Sequence, residues 1–329
     1  MARSAFGTAA LFLLSACLGT LLTPAPVAAQ DWPSRPIRVL TPLAAGGAVD
    51  VLARVVSDEL FANLKQPFVV ENRPGAGGTL AATTAMRAAP DGYTLLLGTA
   101  GALAITPVFS KTAAFDPIKD FTPLTAAVEL PICLVVHKDV PVNTVAEFIA
   151  YAKANPGKLS FGSSGPNSTQ HLAGEYLKSA AGIDMTHVPY RGGGPAMNDL
   201  IAGQIPALFA TLSTTIPYME SGKLKVLGMV EGKRSAAYPN IPTIGETVPG
   251  YAVPPSFIGF VAPAGLPEPL TQQISTALMK AVSDPGVRKA LVANGFEVGP
   301  STPAEFAEIL KSSIERFRKI AADAGIETN

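Results

Sequence analysis

The sequence predicts an α/β protein of two lobes, and three observations lead to this fold class. Short apolar strands alternate with amphipathic helical stretches beyond residue 30, which is the pattern of a sheet covered by helices. Glycine and proline, 30 of each, interrupt the chain at short intervals, as α/β loops do. The 329 residues exceed the roughly 100–200 of a typical domain, so two lobes fit the length better than one core.

The composition excludes several classes of protein. Hydrophobic residues make up 48% of the chain and charged residues 15%, which excludes a disordered polyelectrolyte. The 25 basic and 25 acidic side chains cancel, so the chain has no basic surplus to neutralise nucleic-acid phosphates. We therefore expect a globular protein without a nucleic-acid partner.

Residues 1–29 have the layout of a secretory signal peptide. Arg3 precedes an apolar stretch, and a run of small residues ending in Ala29 forms the cleavage site. We expect cleavage after Ala29 and a mature protein in the periplasm, beyond the inner membrane. The segment Leu14–Cys17 also fits a lipoprotein box, so lipid attachment at Cys17 is the alternative.

The first half of the mature chain predicts strand, glycine loop and helix in succession. Apolar periodicity predicts a buried strand at 36–42, a loop at 43–47 and a helix at 48–64. The pattern then returns, with a strand at 68–71, a loop at 72–78, a helix at about 79–88 and a strand at 93–97. This order is typical of parallel strands joined by helices.

A similar pattern follows in the second half. It predicts a strand at 159–161, a loop at 162–169, a helix to about 180, a strand at 187–190, a glycine loop at 191–195, a helix to about 202 and a strand at 205–209. The C-terminal part predicts helices at 267–282, 285–294 and 303–324, with a short strand at 296–298. Thr302 and Glu305 form a capping box before the last helix.

Four of these strand-to-helix loops are rich in glycine and poor in bulky side chains. Such loops direct backbone N–H groups of a helix towards the carboxyl edge of a sheet, where an anion binds. Arg73 and Arg191 are their only fixed positive charges, and neither a P-loop lysine nor Rossmann glycine spacing is present. One such loop alone is best interpreted as a tight turn. Four of them favour a ligand, and a small carboxylate fits better than a nucleotide.

No residues with the spacing of a catalytic or metal site stand out. His137, His171 and His187 lack metal-ligand spacing, and no Gly-x-Ser-x-Gly elbow occurs. The hydroxyl-rich loop Ser163, Ser164, Ser168 and Thr169 has more donors than helix capping needs, so these side chains are candidate ligand donors. We expect no enzyme activity, no cofactor and no metal.

Several segments together resemble the substrate-binding proteins of the tripartite tricarboxylate transporters, also called Bug or TctC-like proteins. The resemblance covers essentially the whole mature chain and is carried by Trp32–Arg38, Gly46–Asp50, Val70–Gly78, Ala89–Leu95, Ala173–Glu175 and Val188–Gly192. It implies a type II periplasmic-binding-protein fold, two α/β lobes joined by a two-strand hinge. It also implies capture of a small carboxylate for a membrane permease of one large and one small integral subunit.

The resemblance also implies which residues contact the ligand between the lobes. The predicted binding residues are Leu43, Ala44, Ala45, Gly46, Gly47, Thr99, Ala100, Ser163, Ser164, Asn167, Ser168, Thr169, Tyr190, Arg191, Gly192 and Thr211. Asp50, in the first turn of a helix, and Arg73, near Glu71 and Asp91, are predicted to brace their loops instead.

The chain departs from the family pattern at positions that bear on the ligand. Ala45 replaces a usual proline, and Val49 replaces a frequent threonine or serine. The stretch 210–213 lacks the acidic or amide residue that the family often carries there. An ammonium group would lack an acidic partner, so we expect a plain or aromatic mono- or dicarboxylate rather than an amino acid.

We place the first lobe at about 31–131 plus 252–329 and the second at about 132–251. The hinge strands would be 125–134 and 254–261, and we expect a monomer. A periplasmic ligand receptor for a signalling system is the alternative function.

Overall fold

The structure is a computed structural model that describes residues 32–110, 114–166 and 168–326. The predicted signal peptide, Cys17 and the predicted site residue Asn167 lie outside these ranges. Within them, every helix is too short or too polar to cross a membrane.

Strands and helices alternate along the chain, as the sequence pattern predicts. The described strands are β1 (Ile37–Thr41), β2 (Phe68–Asn72), β3 (Thr94–Thr99), β4 (Phe121–Glu129), β5 (Ile132–His137), β6 (Ser160–Ser163), β7 (Thr186–Pro189), β8 (Ala207–Thr211), β9 (Leu224–Met229), β10 (Phe257–Pro263) and β11 (Glu297–Val298). The described helices are α1 (Ala48–Leu64), α2 (Thr79–Met86), α3 (Thr106–Phe109), α4 (Val145–Ala154), α5 (Thr169–Ala181), α6 (Gly193–Ile201), α7 (Leu212–Glu220), α8 (Glu268–Ser283), α9 (Pro285–Ala293) and α10 (Pro303–Asp323).

Two sheets form the two lobes, and their strand orders correspond apart from the additional edge strand β11 of the first. The first sheet has the order β11-β4-β10-β3-β1-β2 and the second has the order β7-β6-β8-β5-β9. In each sheet three parallel strands, β3-β1-β2 or β8-β6-β7, lie on one side of a strand, β10 or β5, that is antiparallel to both of its neighbours. The predicted two-lobed α/β fold is therefore confirmed, because β10 and β5 each enter one sheet directly after the chain leaves the other.

The chain crosses between the sheets twice, at Leu130–Pro131 and along residues 230–256. The two crossings meet where the Leu130 N–H donates to the Ser256 carbonyl at 2.9 Å. Helix α10 packs on β4 of the first sheet and also contacts α5 beside the second. Arg316 of α10 reaches Tyr176 of α5, with Nη2 3.0 Å from the hydroxyl. The exact lobe boundaries stay predictions.

Local chemistry explains where several elements begin and end. Helix α1 occupies the predicted residues, and it ends at Lys65, whose left-handed backbone stops the helix. Helix α10 begins with the predicted capping box between Thr302 and Glu305. Strand β8 begins two residues later than predicted, since Pro206 has no N–H to donate to a sheet. Thr99 is followed by a π-helical turn, Gly101–Ile105, that the sequence pattern does not predict.

Candidate ligand-binding site

A cavity of about 620 Å³ lies at the carboxyl ends of the parallel strands, between the two lobes. The first lobe contributes the ends of β1 and β3 and the start of α2, the second contributes the start of α5, and the crossing segments contribute Leu130 and Ser256. The lining residues are Pro42, Leu43, Val49, Ala76, Gly77, Gly78, Thr79, Thr99, Gly101, Ala102, Thr106, Ser110, Leu130, Ser164, Pro166, Ser168, Thr169, Gln170, Ser256, Phe257 and Ile258. All of these residues are uncharged, and both lobes contribute hydroxyl groups.

Asp50 holds the glycine loop that precedes α1. Its Oδ2 accepts hydrogen bonds from the Gly46 N–H and from Arg54 Nε, each at 3.0 Å. Gly46 adopts a positive φ of 86°, which a glycine accommodates without strain. The Asp50 side chain is buried, and the hydrogen bond from Arg54 is the main reason that its pKa falls to about 2. The loop is therefore held by a carboxylate that stays ionised far into the acid range.

Asn72, at the end of β2, ties the same loop to the first sheet. Its Nδ2 lies 3.0 Å from Asp50 Oδ1, 2.9 Å from Thr41 Oγ1 and 3.1 Å from the Leu43 carbonyl. These contacts fix Leu43 at the cavity wall. Sequence reasoning did not single out Asn72 as a support, because its role depends on β2 lying beside β1.

A second glycine turn, Ala76–Gly78, forms the adjoining wall. Thr106 Oγ1 donates to the Gly77 carbonyl at 3.0 Å and so fastens this turn to the segment after β3. Gly78 has a φ of 95°, and a Cβ there would lie 2.6 Å from the Ala102 side chain. Thr99 Oγ1 accepts from the Ala102 N–H at 3.2 Å, which leaves its hydroxyl proton to donate.

The second lobe faces the cavity with the start of α5. Ser168 caps this helix, because its Oγ accepts the His171 N–H at 3.2 Å and donates to the Gly165 carbonyl at 2.7 Å. Ser164 donates instead to Gln170, with its Oγ 2.9 Å from Oε1. The hydroxyl-rich loop therefore splits into a cap and a side-chain pair on the cavity wall.

A neutral aromatic stack supports this loop from behind. The ring of His187 lies 4.0 Å from that of His171 and 5.0 Å from that of Phe161, and its Nε2 lies 2.7 Å from Ser163 Oγ. Burial, and then the neighbouring His171, lowers the pKa of His187 to about 4. Burial also lowers the pKa of His171. Both rings are therefore uncharged at neutral pH, so the second loop rests on neutral groups.

The structure brings five of the predicted binding residues together on the cavity wall: Leu43, Thr99, Ser164, Ser168 and Thr169. The others among the described residues lie elsewhere. Ala44–Gly47 are exposed and outside the lining, Ala100 is buried, and Ser163 is fully buried with its hydroxyl bonded to Gly165 and His187.

The residues predicted around the second glycine loop also lie outside the lining. Tyr190 donates its hydroxyl to Asp199 at 2.7 Å, and burial raises its pKa to about 12. Arg191 is exposed and Gly192 is half-buried, and Thr211 is the last residue of β8, directly before α7. Arg73 pairs with Glu71 at 3.2 Å, not with Asp91, which pairs with Arg35.

Sequence reasoning missed three groups of lining residues, Ala76–Thr79, then Gly101, Ala102 and Thr106, and then Ser256–Ile258. It also missed the single positions Pro42, Val49, Ser110, Leu130, Pro166 and Gln170. The first group had a usable pattern, since Gly75–Gly78 is one of the four glycine loops. The second depends on the π-helical turn, and the third on the hinge segment folding back into the cleft.

Taken together, two α/β lobes with an uncharged, hydroxyl-lined cavity at the carboxyl ends of their strands define a solute-binding protein. The family follows from direct comparison. Residues 52–326 match the family described as Tripartite tricarboxylate transporter family receptor, and the chain belongs to this family. The resemblance inferred from sequence motifs is confirmed.

Relatives agree with this assignment over most of their length. A UPF0065 protein of Bordetella bronchiseptica is 35% identical over 98% of this chain and 95% of its own. R. palustris Rpa4515, solved with adipate, is 34% identical with a TM-score of 0.77 over 90% of this chain and 99% of its own. MatC (Rpa3494) from Rhodopseudomonas palustris, solved with bound malate, is 32% identical with a TM-score of 0.75 over 88% and 99%.

Proposed function

We propose that this protein is a periplasmic receptor that closes over a small carboxylate and delivers it to a membrane permease of one large and one small integral subunit. The cavity between the lobes carries this proposal, because every described residue that lines it is uncharged and both lobes contribute hydroxyl groups. The relatives solved with adipate and malate support a carboxylate ligand. The proposal assigns the chain binding and no catalysis.

The site suits a carboxylate for a physical reason. Hydroxyl and backbone N–H donors bind an anion with strong, directional hydrogen bonds when water is excluded. The first lobe contributes the hydroxyls of Thr79 and Thr99, and the second contributes the Gln170 amide and the start of α5. Apolar side chains, including Leu43, Val49 and Phe257, line the same cavity and fit a carbon skeleton.

Closure follows from the two crossings between the lobes. A ligand that touches both walls binds the closed arrangement more tightly than the open one and so shifts the population towards it. The permease would then recognise the closed form. We place the protein in the periplasm, consistent with the signal-peptide layout of residues 1–29 and with the relative named periplasmic binding protein BugD.

A thermal-shift screen tests the proposal. The protein is purified after unfolding, to remove any bound ligand, and is refolded before addition of small mono-, di- and tricarboxylates, sugars or amines. A carboxylate at 100 times its Kd should add about 2.7 kcal/mol to the free energy of unfolding. A response to sugars or amines with none to any carboxylate would overturn the proposal.

A matched pair of variants ties the response to the cavity. Thr79→Val keeps the shape of a lining residue and removes its hydroxyl, so the best carboxylate should bind about tenfold more weakly. Thr84→Val makes the same change on the same helix outside the lining and should leave Kd unchanged. Equal Kd values for the two variants would remove Thr79 from the binding wall.

A further inference from the structure

One polar pair dominates the wall that the second lobe presents to the cavity. Ser164 donates its hydroxyl proton to Oε1 of Gln170 across 2.9 Å, and both residues line the cavity. A side-chain amide has one oxygen acceptor and two N–H donors. Ser164 takes one of the two lone pairs of this oxygen, so the two N–H donors of the NH₂ are the larger part of what Gln170 offers to a ligand.

The neighbouring hydroxyls do not offer the same chemistry. Ser168 both donates to the Gly165 carbonyl and accepts the His171 N–H, so its hydroxyl is engaged as the helix cap. Ser163 is fully buried and bonded to Gly165 and His187. This end of the cavity therefore presents mainly donors, the Gln170 amide and the first-turn N–H groups of α5, beside the acceptor oxygen of Ser164.

Charge does not override these donors. Every described residue of the lining is uncharged, and Arg191, the cation of the second-lobe glycine loop, is exposed and outside the lining. A ligand end that brings oxygen acceptors can bond to the amide, whereas an ammonium end would place donor against donor without a compensating carboxylate.

We propose that Gln170 determines specificity at this end of the cavity: its amide NH₂ selects ligands whose far end is an oxygen acceptor, such as a second carboxylate, and excludes those whose far end is an ammonium. This inference rests on the proposed function, because it presumes that a carboxylate occupies the other end. It assigns to one neutral side chain the discrimination between dicarboxylates and amino acids.

Three ligands that share a carbon skeleton test this residue: adipate, hexanoate and 6-aminohexanoate, or the same trio on the chain length that binds best in the screen. Calorimetry should rank the dicarboxylate first for the wild type. Gln170→Glu keeps the size of the side chain but replaces NH₂ by a carboxylate oxygen. The dicarboxylate should then bind about 100-fold more weakly, with the amino-acid analogue losing far less or gaining affinity.

Two further variants separate specificity from general damage. Gln170→Met removes the donors without adding charge, and should weaken the dicarboxylate about tenfold while leaving the monocarboxylate unchanged. Gln204→Glu places the same new charge on an exposed site of the second lobe and should leave all three Kd values unchanged.

The outcomes distinguish the two proposals. If the wild type binds no carboxylate, the proposed function fails. If it binds the dicarboxylate but Gln170→Glu leaves the ratio of the three affinities as in the wild type, the role of Gln170 fails while the function stands.

Discussion

The loop before α1 and the loop before α5 face the same cavity but are held by opposite kinds of chemistry. In the first lobe, the ionised Asp50 accepts hydrogen bonds from Gly46, Arg54 and Asn72. In the second lobe, Ser163 bonds to His187, whose neutral ring stacks between His171 and Phe161. A strand-to-helix loop at the equivalent place in each lobe is thus stabilised by an ionised carboxylate in one case and by neutral aromatic rings in the other.

Because of this difference, the two loops lose their stabilising interactions in different ranges of acid pH. Asp50 has a pKa of about 2 in the folded protein, below its ordinary 3.8. Its contribution to the free energy of unfolding is therefore complete above pH 3.8 and is lost as the pH falls through 2. His187 has a pKa of about 4, below its ordinary 6.5. Its contribution to the free energy of unfolding is therefore complete above pH 6.5 and is lost as the pH falls through 4. The second loop should weaken first on acidification.

A third group, Glu231, lies at the crossing between the lobes and titrates with the opposite sign. It is buried, its Oε1 accepts the Ile132 N–H at 2.9 Å, and its Oε2 has no hydrogen-bond partner among the described residues. Burial is the main cause that raises its pKa to about 8, and the nearby Glu129 and Glu297 add to this. The contribution of Glu231 to the free energy of unfolding is complete below pH 4.5 and is lost as the pH rises through 8.

The largest expected effect comes from Glu231→Gln, which keeps the shape of the protonated acid. Between pH 4.5 and 8 the wild type should lose about 1.4 kcal/mol of unfolding free energy per pH unit through this group, and the variant should not. Urea unfolding at pH 5, 6.5 and 8 measures the difference. Parallel slopes for the two proteins would mean that Glu231 is ionised when folded. In this variant the smaller loss of stability below pH 6.5 that we assign to His187 can be measured without the opposing change from Glu231.

Removal of the Asp50 carboxylate, which holds the loop before α1, should have the next largest effect on stability. Asp50→Ala leaves the Gly46 N–H, Arg54 and Asn72 without their shared acceptor, and we expect a loss of about 2–3 kcal/mol in stability at pH 7. Carboxylate binding should weaken as well, since the loop carries Leu43. Asp58→Ala, at an exposed site on the same helix, is the control and should change the unfolding free energy by less than about 0.5 kcal/mol.

Substitution of His187, the neutral ring that holds the loop before α5, should have a smaller effect on stability at neutral pH. His187→Phe retains a ring for the stack but loses the bond to Ser163, so we expect a loss of about 1 kcal/mol at pH 7. In the Glu231→Gln background this variant should also flatten the fall in stability between pH 6.5 and 4. An unchanged slope would show that His187 is not the group that takes up the proton.

The smallest effect is expected at Arg73. Its pair with Glu71 is exposed, and Glu71 keeps a two-bond contact with Arg38 at 2.8 and 3.0 Å. Arg73→Ala should therefore change the unfolding free energy by less than about 0.5 kcal/mol and leave Kd unaltered. A tenfold rise in Kd would make Arg73 a ligand contact.

The same contrast shows what the sequence can predict. Helix α1 and the capping box at Thr302 follow from periodicity and nearest-neighbour chemistry, which are local in the chain. The ionic brace was partly visible, because Asp50 stands in a first helical turn. Its partner Asn72 was not, since only the pairing of β2 with β1 brings it near.

The cavity wall was harder to predict than the fold. Ser163 and Ser164 look alike in sequence, yet one is fully buried and the other lines the cavity, because they lie at the end of a strand where successive side chains alternate. Gln170 acquires its role only through its bond to Ser164. Such choices depend on packing between elements and not on local pattern.

A crystal structure of the protein with the best-binding carboxylate tests the central claim most directly. We predict a carboxylate between the lobes, with its oxygens within hydrogen-bond distance of backbone N–H groups and of hydroxyls such as those of Thr79 and Thr99. A carboxylate held instead by Arg73 or Arg191, outside the cavity, would contradict recognition by neutral donors.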